Sequence, residues 1–422
     1  MNKVFSVFRK LLFLIYCAAV AGIIFHINPR LFSNSKSLKL DEISSGLFMP
    51  SFKWNTYNSN STTTQDTFFR GDIGRLGQFK TEKMGPWKSE WTFPALNVGV
   101  HSASKSSPIV DSSGIYVGSD SAWFYAFSLD GSIRWRYHAT NASQGIHSTA
   151  LVDAKHVFFG TYSGWFYCFE KLSGELIWSR KLGDSVGSSP LSFEDSLLVA
   201  VETYSPNGYL VRIKKENGEA VWKTENLGEQ SHSSPAIDLK NRQVVLGANN
   251  SLFFAFDLDS GRLNWKVPLA GRMKSTPIVV GDQVILTDWG REISSLNLRD
   301  GSVFWRQPLD AASQSSPAFL PKSSLIAVAD KSASLWIFDL QGHMKIHVKF
   351  PKFNMMSSPV VLVGAEEQIL LSCEERALCL FNLRGEILQK LVLDGPLTGI
   401  PFIFDQHIYL AADRGSFYSI GF

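Results

Sequence analysis

The sequence predicts an all-β fold, an eight-bladed propeller of four-stranded antiparallel blades. Two periodic marks and the order of elements at the chain ends carry this prediction. The first mark is a tryptophan four residues after a glycine: Gly131–Trp135, Gly174–Trp178, Gly218–Trp222, Gly261–Trp265 and Gly301–Trp305. Gly342–Ile346 and Gly385–Gln389 keep the glycine and lose the indole, and Trp91 stands in phase 44 residues before Trp135. The second mark is a small-small-Pro triplet opening an apolar run, as in Ser106-Ser107-Pro108, Ser188-Ser189-Pro190, Ser233-Ser234-Pro235, Ser275-Thr276-Pro277, Ser315-Ser316-Pro317 and Ser357-Ser358-Pro359. Ser148-Thr149-Ala150 and Gly399-Ile400-Pro401 are degenerate copies. Both marks count eight modules of about 40 to 44 residues, the signature of a repeat architecture.

One module, residues 106–137, shows why each is a small sheet. Pro108-Ile-Val-Asp ends at a Ser-Ser-Gly turn, and Ile115-Tyr-Val-Gly ends at Ser-Asp-Ser. Trp123-Phe-Tyr-Ala-Phe ends at Leu-Asp-Gly, and Ile133-Arg-Trp-Arg-Tyr closes the module. Four β-branched or aromatic runs between turn residues read as an antiparallel meander. No stretch after Gln65 keeps a 3.6-residue period, so helices are not expected there. One such sheet cannot bury both faces, and radial packing of many solves this. The last module supplies Ile408-Tyr-Leu-Ala and Phe417-Tyr-Ser-Ile but no fourth strand, whereas Trp91 lies in a lone strand before the first module. The N-terminal strand is therefore expected to complete the C-terminal blade. Trp91, Trp135, Trp178, Trp222, Trp265 and Trp305 are expected to dock adjacent blades together.

Ala255-Phe-Asp-Leu-Asp-Ser-Gly-Arg-Leu-Asn-Trp265 resembles, apart from Ser260 for Thr, the A-x-D-x-x-T-G-x-x-x-W docking motif of the pyrroloquinoline quinone (PQQ) propeller family. Phe69-Arg-Gly-Asp-Ile-Gly-Arg-Leu-Gly77 is similar to a segment preceding the first strand in that family. The resemblance covers about residues 66 to 422. It implies the PQQ-like propeller fold and leaves the chemistry open. The family holds quinoprotein dehydrogenases and a BamB-like branch of cofactor-free scaffolds.

Residues 1–10 carry Lys3, Arg9 and Lys10, and residues 11–27 are nearly all apolar. This run is at the short end of what spans a bilayer, and the positive flank assigns residues 1–10 to the cytoplasm. A transmembrane signal anchor is the preferred reading, with the propeller on the periplasmic or extracytoplasmic side. The alternative is a cleaved signal peptide, because Ala19-Val-Ala21 has the small-x-small form. A lipoprotein signal ending at Cys17 fits poorly, since Tyr16 stands where a small residue is needed. Residues 28–65, rich in Ser, Asn and Thr, read as a flexible linker, and residues 66–422 as the propeller.

A formal net charge of +3 without a basic run argues against nucleic-acid binding. Cys168 and Cys379 are assigned to the small slot of the third strand held elsewhere by Ala126, Ala255, Ser295 and Ser419. Cys373 lies near Cys379 across a turn, but spacing alone does not establish a disulfide. The resemblance implies that a dehydrogenase would hold PQQ with adjacent cysteines, a tryptophan floor and a Ca²⁺ on Glu, Asn and Asp. The chain has no adjacent cysteines, no C-x-x-C-H haem motif, no His/Cys set at zinc spacing and no P-loop. No catalytic, cofactor-binding or metal-binding residues are assigned. Asp120, Asp288, Asp330 and Asp413 are expected to cap tight turns.

The residues before the eight triplets are Lys105, His147, Gly187, His232, Lys274, Gln314, Met356 and Thr398. These loops lead to the strands nearest the axis and should ring one channel mouth. Lys105, His147, His232, Lys274 and Gln314 are the candidate ligand-binding set, suited to an anion or an acidic peptide. Arg212 departs from the small slot in blade 3; either it is buried with a partner or its strand is shifted by one. The sequence is read as a membrane-tethered, non-enzymatic scaffold with protein partners and no cofactor, with envelope protein assembly as the expected setting. The alternatives are a PQQ-dependent oxidoreductase and a channel-mouth sensor of an anion.

Overall fold

The computed structural model describes residues 66–82, 85–99, 105–142, 144–204, 207–351, 353 and 357–422. The proposed anchor and linker lie outside the described residues. Among the described residues no helix is long and apolar enough to cross a membrane.

Eight sheets follow one another along the chain, blade 1 beginning at Ile109–Asp111 and blade 8 at Phe402–Phe404. Seven blades are four-stranded antiparallel sheets, and blade 7 gains a fifth strand. First strands of neighbouring blades touch, so they surround the axis. The ring closes as the order of elements requires: Lys88–Phe93 pairs antiparallel with Phe417–Gly421, and Trp91 faces Ser419.

The Gly–Trp spacing has a direct physical cause. Each indole packs on the glycine of the next blade and donates its Nε1–H to a carbonyl there. Trp91 bonds Leu129 O, Trp135 bonds Lys171 O, Trp178 bonds Lys215 O, Trp222 bonds Leu258 O, Trp265 bonds Leu298 O and Trp305 bonds Leu340 O, all at 2.9–3.2 Å. A Cβ on Gly342, at φ +84°, would stand 2.6 Å from the Trp305 ring. Only glycine combines that left-handed turn with a ring lying on its Cα. Where the indole is missing, the opposing slot grows instead. Ile337 faces Ile346, and Leu380 faces Gln389. Gln389 also replaces the indole contact with an amide clasp, accepting from Trp87 N at 2.9 Å and donating to Gly85 O at 2.8 Å.

Cys379 thus does not occupy the small slot; Leu380 does, and Cys379 sits one residue earlier opposite Lys390. Cys168 does face its tryptophan, Trp178. Cys379 is joined to Cys373 by a disulfide across the turn at 374–377, and both cysteines are buried. Arg212 is in register opposite Trp222 and is buried, so its strand is not shifted. Its guanidinium lies over Phe193 at 4.9 Å, meets Glu194 at 3.0 Å and donates to Leu258 O at 3.2 Å.

The triplets form a belt around the axis. In most of them the second residue offers a hydroxyl to the backbone at the same position of a neighbouring blade: Ser107 N donates to Thr149 Oγ1, Thr149 N to Ser189 Oγ, Ser189 N to Ser234 Oγ, Thr276 N to Ser316 Oγ and Ser316 N to Ser358 Oγ, at 2.9–3.2 Å. Ile400 N returns to Ser107 Oγ at 2.9 Å. A small residue with a hydroxyl satisfies a backbone donor that the crowded axis would otherwise leave unpaired.

Residues 67–80 cross the axis below this belt. Inner-strand amides of four successive blades donate to them: Ile237 to Ile73 O, Val279 to Gly74 O, Phe319 to Leu76 O and Val361 to Gly77 O, at 2.8–2.9 Å. Thr67 bridges Val152 of blade 2, and Gln78–Lys80 adds in parallel to blade 7 as its fifth strand. Arg70 and Arg75 are fully buried here. Arg75 donates to Pro235 O, Phe69 O, Ser189 O and Pro190 O at 2.7–3.0 Å, and Arg70 donates to Arg75 O and Pro317 O. The segment is an axial plug.

Candidate functional site

Above the plug lies a cavity of about 670 Å³ on the axis. Phe69 of the plug and belt residues such as Ser189 and Thr276 line it. Lys105, His147, Gly187, His232, Lys274, Gln314 and Thr398 also line it, so the residues before the triplets are brought to one end of the ring. Met356 is outside the described residues. The pattern follows from topology, because each of these residues ends the loop that drops into an innermost strand.

The charges of this ring are unevenly compensated. Lys105 Nζ is buried between Asp120 at 3.2 Å and Asp413 at 3.5 Å. Asp120 is therefore more than a turn cap, since it also accepts Val98 N and Gly99 N at 2.8 Å. Asp330 is a cap in the expected sense, accepting Ser332 N at 2.8 Å. His232 Nδ1 lies 3.1 Å from Glu202, a buried carboxylate on blade 3. His147 holds Gln144 O at 2.7 Å and packs on Tyr162, with ring centroids 4.4 Å apart. Burial and the Glu202 charge push the Tyr162 hydroxyl well above the usual tyrosine range.

Blades 5 and 6 differ. Lys274 Nζ lies 4.7 Å from the Trp289 ring centre and Lys331 Nζ lies 4.0 Å from it, and all three residues line the cavity. Among the described residues neither ammonium has a carboxylate within ion-pair distance. Burial lowers the pKa of both, and Lys274 lowers that of Lys331 further. Trp289 Nε1 is buried without a hydrogen-bond acceptor. Asp288, just before it, is buried, and burial raises its carboxyl to about 6.

Lys331, Trp289, Glu202 and Phe69 were not singled out from the sequence. Lys331 follows Asp330 in the second turn of its blade, the turn that faces the cavity. That adjacency was the available signal. Blade 3 carries the other irregularity. Its middle strands, Ser196–Thr203 and Asn207–Lys214, are eight residues long, and Tyr204 at their tip is 83% exposed on the cavity rim.

A model of the family described as outer membrane protein assembly factor BamB matches residues 86–224, 121–271 and 206–346, more than half of the chain. The chain belongs to this family. Outer membrane protein assembly factor BamB of Yersinia pestis is 22% identical over 143 residues, 32% of this chain and 36% of that protein. The corresponding protein of Moranella endobia (strain PCIT) is 23% identical over 124 residues, 29% of this chain and 30% of that protein. The chain thus spans about a third of the length of the curated relatives it matches. The crystal structure of BamB from Moraxella catarrhalis superposes with a TM-score of 0.61 at 18% identity, covering 76% of this chain and 99% of that one. A europium-containing methanol dehydrogenase superposes with a TM-score of 0.70 at 12% identity, covering 84% and 98%. These likenesses show the fold.

The cofactor set of the dehydrogenase branch does not fit the residues present. The disulfide is in a blade 7 hairpin, and its cysteines are not among the residues lining the cavity. Trp289 stands on the wall of the cavity, and Phe69 rather than a tryptophan comes up from the plug. Among the described residues no three His, Cys, Asp or Glu side chains converge to hold a metal ion.

Proposed function

We propose that the chain is a non-enzymatic propeller that acts as a protein-interaction scaffold outside the cytoplasmic membrane, in the assembly of envelope proteins. The match to the BamB family over residues 86–346 carries this reading. The residue set of the cavity supports the non-enzymatic part, because it lacks the partners that a quinone and its calcium require. The Cys373–Cys379 disulfide supports an oxidising compartment. Residues 11–27 provide the tether, and the propeller presents its cavity end to a partner.

The test is in-cell cross-linking of the tagged full chain, followed by capture from mild detergent. A defined envelope protein recovered at constant stoichiometry supports the scaffold. PQQ and Ca²⁺ added to the purified chain should give no dye-linked alcohol or aldehyde oxidation. Stoichiometric PQQ binding with turnover overturns the reading.

A further inference from the structure

We propose that the axial cavity is a receptor for an acidic segment of a protein partner, with a carboxylate seated between Lys274 and Lys331 against the Trp289 indole. This rests on the scaffold reading and names what the scaffold recognises. Three observations carry it. First, two ammonium groups share one indole, at 4.7 and 4.0 Å from its centre, and neither meets a carboxylate of the described chain. Two like charges held together in a partly desolvated place repel, and an anion between them relieves that repulsion. Burial lowers the pKa of both lysines, and the Lys274 charge lowers that of Lys331 further. Second, the other basic side chains of the ring are already engaged: Lys105 by Asp120 and Asp413, His232 by Glu202, and His147 by Gln144 O. Glu202 acts on Lys274 too, at longer range, and Arg272 opposes it. Among the described residues of the ring, the uncompensated charge is therefore on blades 5 and 6. Third, the buried Trp289 Nε1 lacks an acceptor, and Gln314 and Ser316 add donors on the same wall.

The shape favours a peptide over a small free acid. The plug closes one end, so a ligand enters only from the mouth. At that mouth the long blade 3 hairpin presents Tyr204, an 83% exposed aromatic suited to grip a chain as it enters. A cavity of about 670 Å³ holds several residues of an extended segment.

The experiment uses the purified full chain in detergent and a fluorescent hexaglutamate peptide at low salt, read by anisotropy. Binding is expected, weakening steeply as salt rises, with no binding of hexaglutamine. Lys274→Gln and Lys331→Gln should each weaken it about tenfold or more, as loss of a charge-assisted contact does. Lys274→Arg and Lys331→Arg should retain most of it. Melting curves matching wild type establish that the glutamine variants are folded. Failure of wild type to bind hexaglutamate overturns the inference, as does wild-type affinity in both glutamine variants. Free glutarate binding as tightly as the peptide also overturns it, because the site then takes a small acid. Equal binding of a phosphate oligomer overturns it as well. The cross-linked envelope partner provides the second reading. If the glutamine variants capture it undiminished, the cavity inference fails while the scaffold stands. If no partner is captured but hexaglutamate binds through both lysines, the scaffold reading fails and the carboxylate site stands.

Discussion

Replacing Arg75 by Ala should loosen the whole ring, although Arg75 belongs to no blade. Its guanidinium makes four hydrogen bonds to the carbonyls of Phe69, Ser189, Pro190 and Pro235, tying the plug to the entrances of blades 3 and 4. Bonds from a charged donor contribute about 1.5–3 kcal/mol each net of desolvation, and four sharing one guanidinium stabilise by less than their simple sum. Against this stands the cost of burying the cation, visible in a pKa drawn down from 12.5 to about 9, with Asp72 pulling it partly back. The alanine variant also strands four carbonyls where water is excluded. A net loss of about 3–5 kcal/mol is expected, in the range found when one partner of a buried charged contact is removed. Unfolding entropy is about 2.1 cal/mol/K per residue, or about 0.7 kcal/mol/K for a ring of this size, so Tm should fall by about 4–7 °C. Hydrogen exchange gives a sharper reading. The amides of Ile237, Val279, Phe319 and Val361 donate to the plug from four different blades, and all four should lose protection together. Arg75→Lys, which keeps the charge and loses the fork, should fall between. A Tm within 1 °C of wild type, or lost protection in blade 4 alone, would refute the plug as a common latch.

Gly342→Ala should cost about 1–3 kcal/mol, because it strains a left-handed turn and drives a methyl into Trp305; thermal melts check it, and a neutral result contradicts the docking geometry. Deleting residues 86–96 should lower Tm, because blade 8 loses the strand facing Phe417–Gly421; an unchanged melt would show that the ring closes another way. Asp288 holds its proton more tightly when folded, so its contribution is full below about pH 4 and is lost as pH rises through about 6. Asp288→Asn should therefore gain Tm relative to wild type between pH 4 and pH 7, and parallel curves of Tm against pH would exclude the assignment.

The blade count and the closing strand were legible because both rest on local spacing. A glycine four residues before a tryptophan is a contact between neighbouring modules, and every module repeats it. The two modules lacking the indole were legible only in part. Ile337 and Leu380 show that the lost ring volume is restored across the sheet, and the turn between Phe381 and Ile387, one residue shorter than its counterpart between Phe256 and Leu263, puts Leu380 rather than Cys379 in the slot. Arg212 could not be decided from sequence, since its partners Glu194 and Leu258 lie in a distant turn of its own blade and in another blade. The plug was visible as a motif, Phe69 to Gly77, but not as a plug. Its partners are carbonyls and amides contributed by several blades, and backbone groups leave no mark in a sequence. The ring of loop residues could be placed by counting, whereas its charge balance could not. Lys105 is neutralised by Asp413, which is more than 300 positions away in the chain, and Lys331 comes from a different loop of the blade.

The route of the chain through the closure has a consequence for how the protein is made. The plug and the closing strand are synthesised before any blade, yet their partners include Val361 in the first strand of blade 7 and Phe417–Gly421 in blade 8. A growing chain must therefore carry both segments unpaired until nearly all of it has emerged. Contacts spanning so much sequence form slowly, because the loop must close before any bond repays it. During that interval blade 1 exposes the face meant for Trp91, and its edges are open to other chains. The ring should thus pass through a long-lived open intermediate that recruits holding chaperones. Chains stalled before residue 417 should be the most aggregation-prone species of the series.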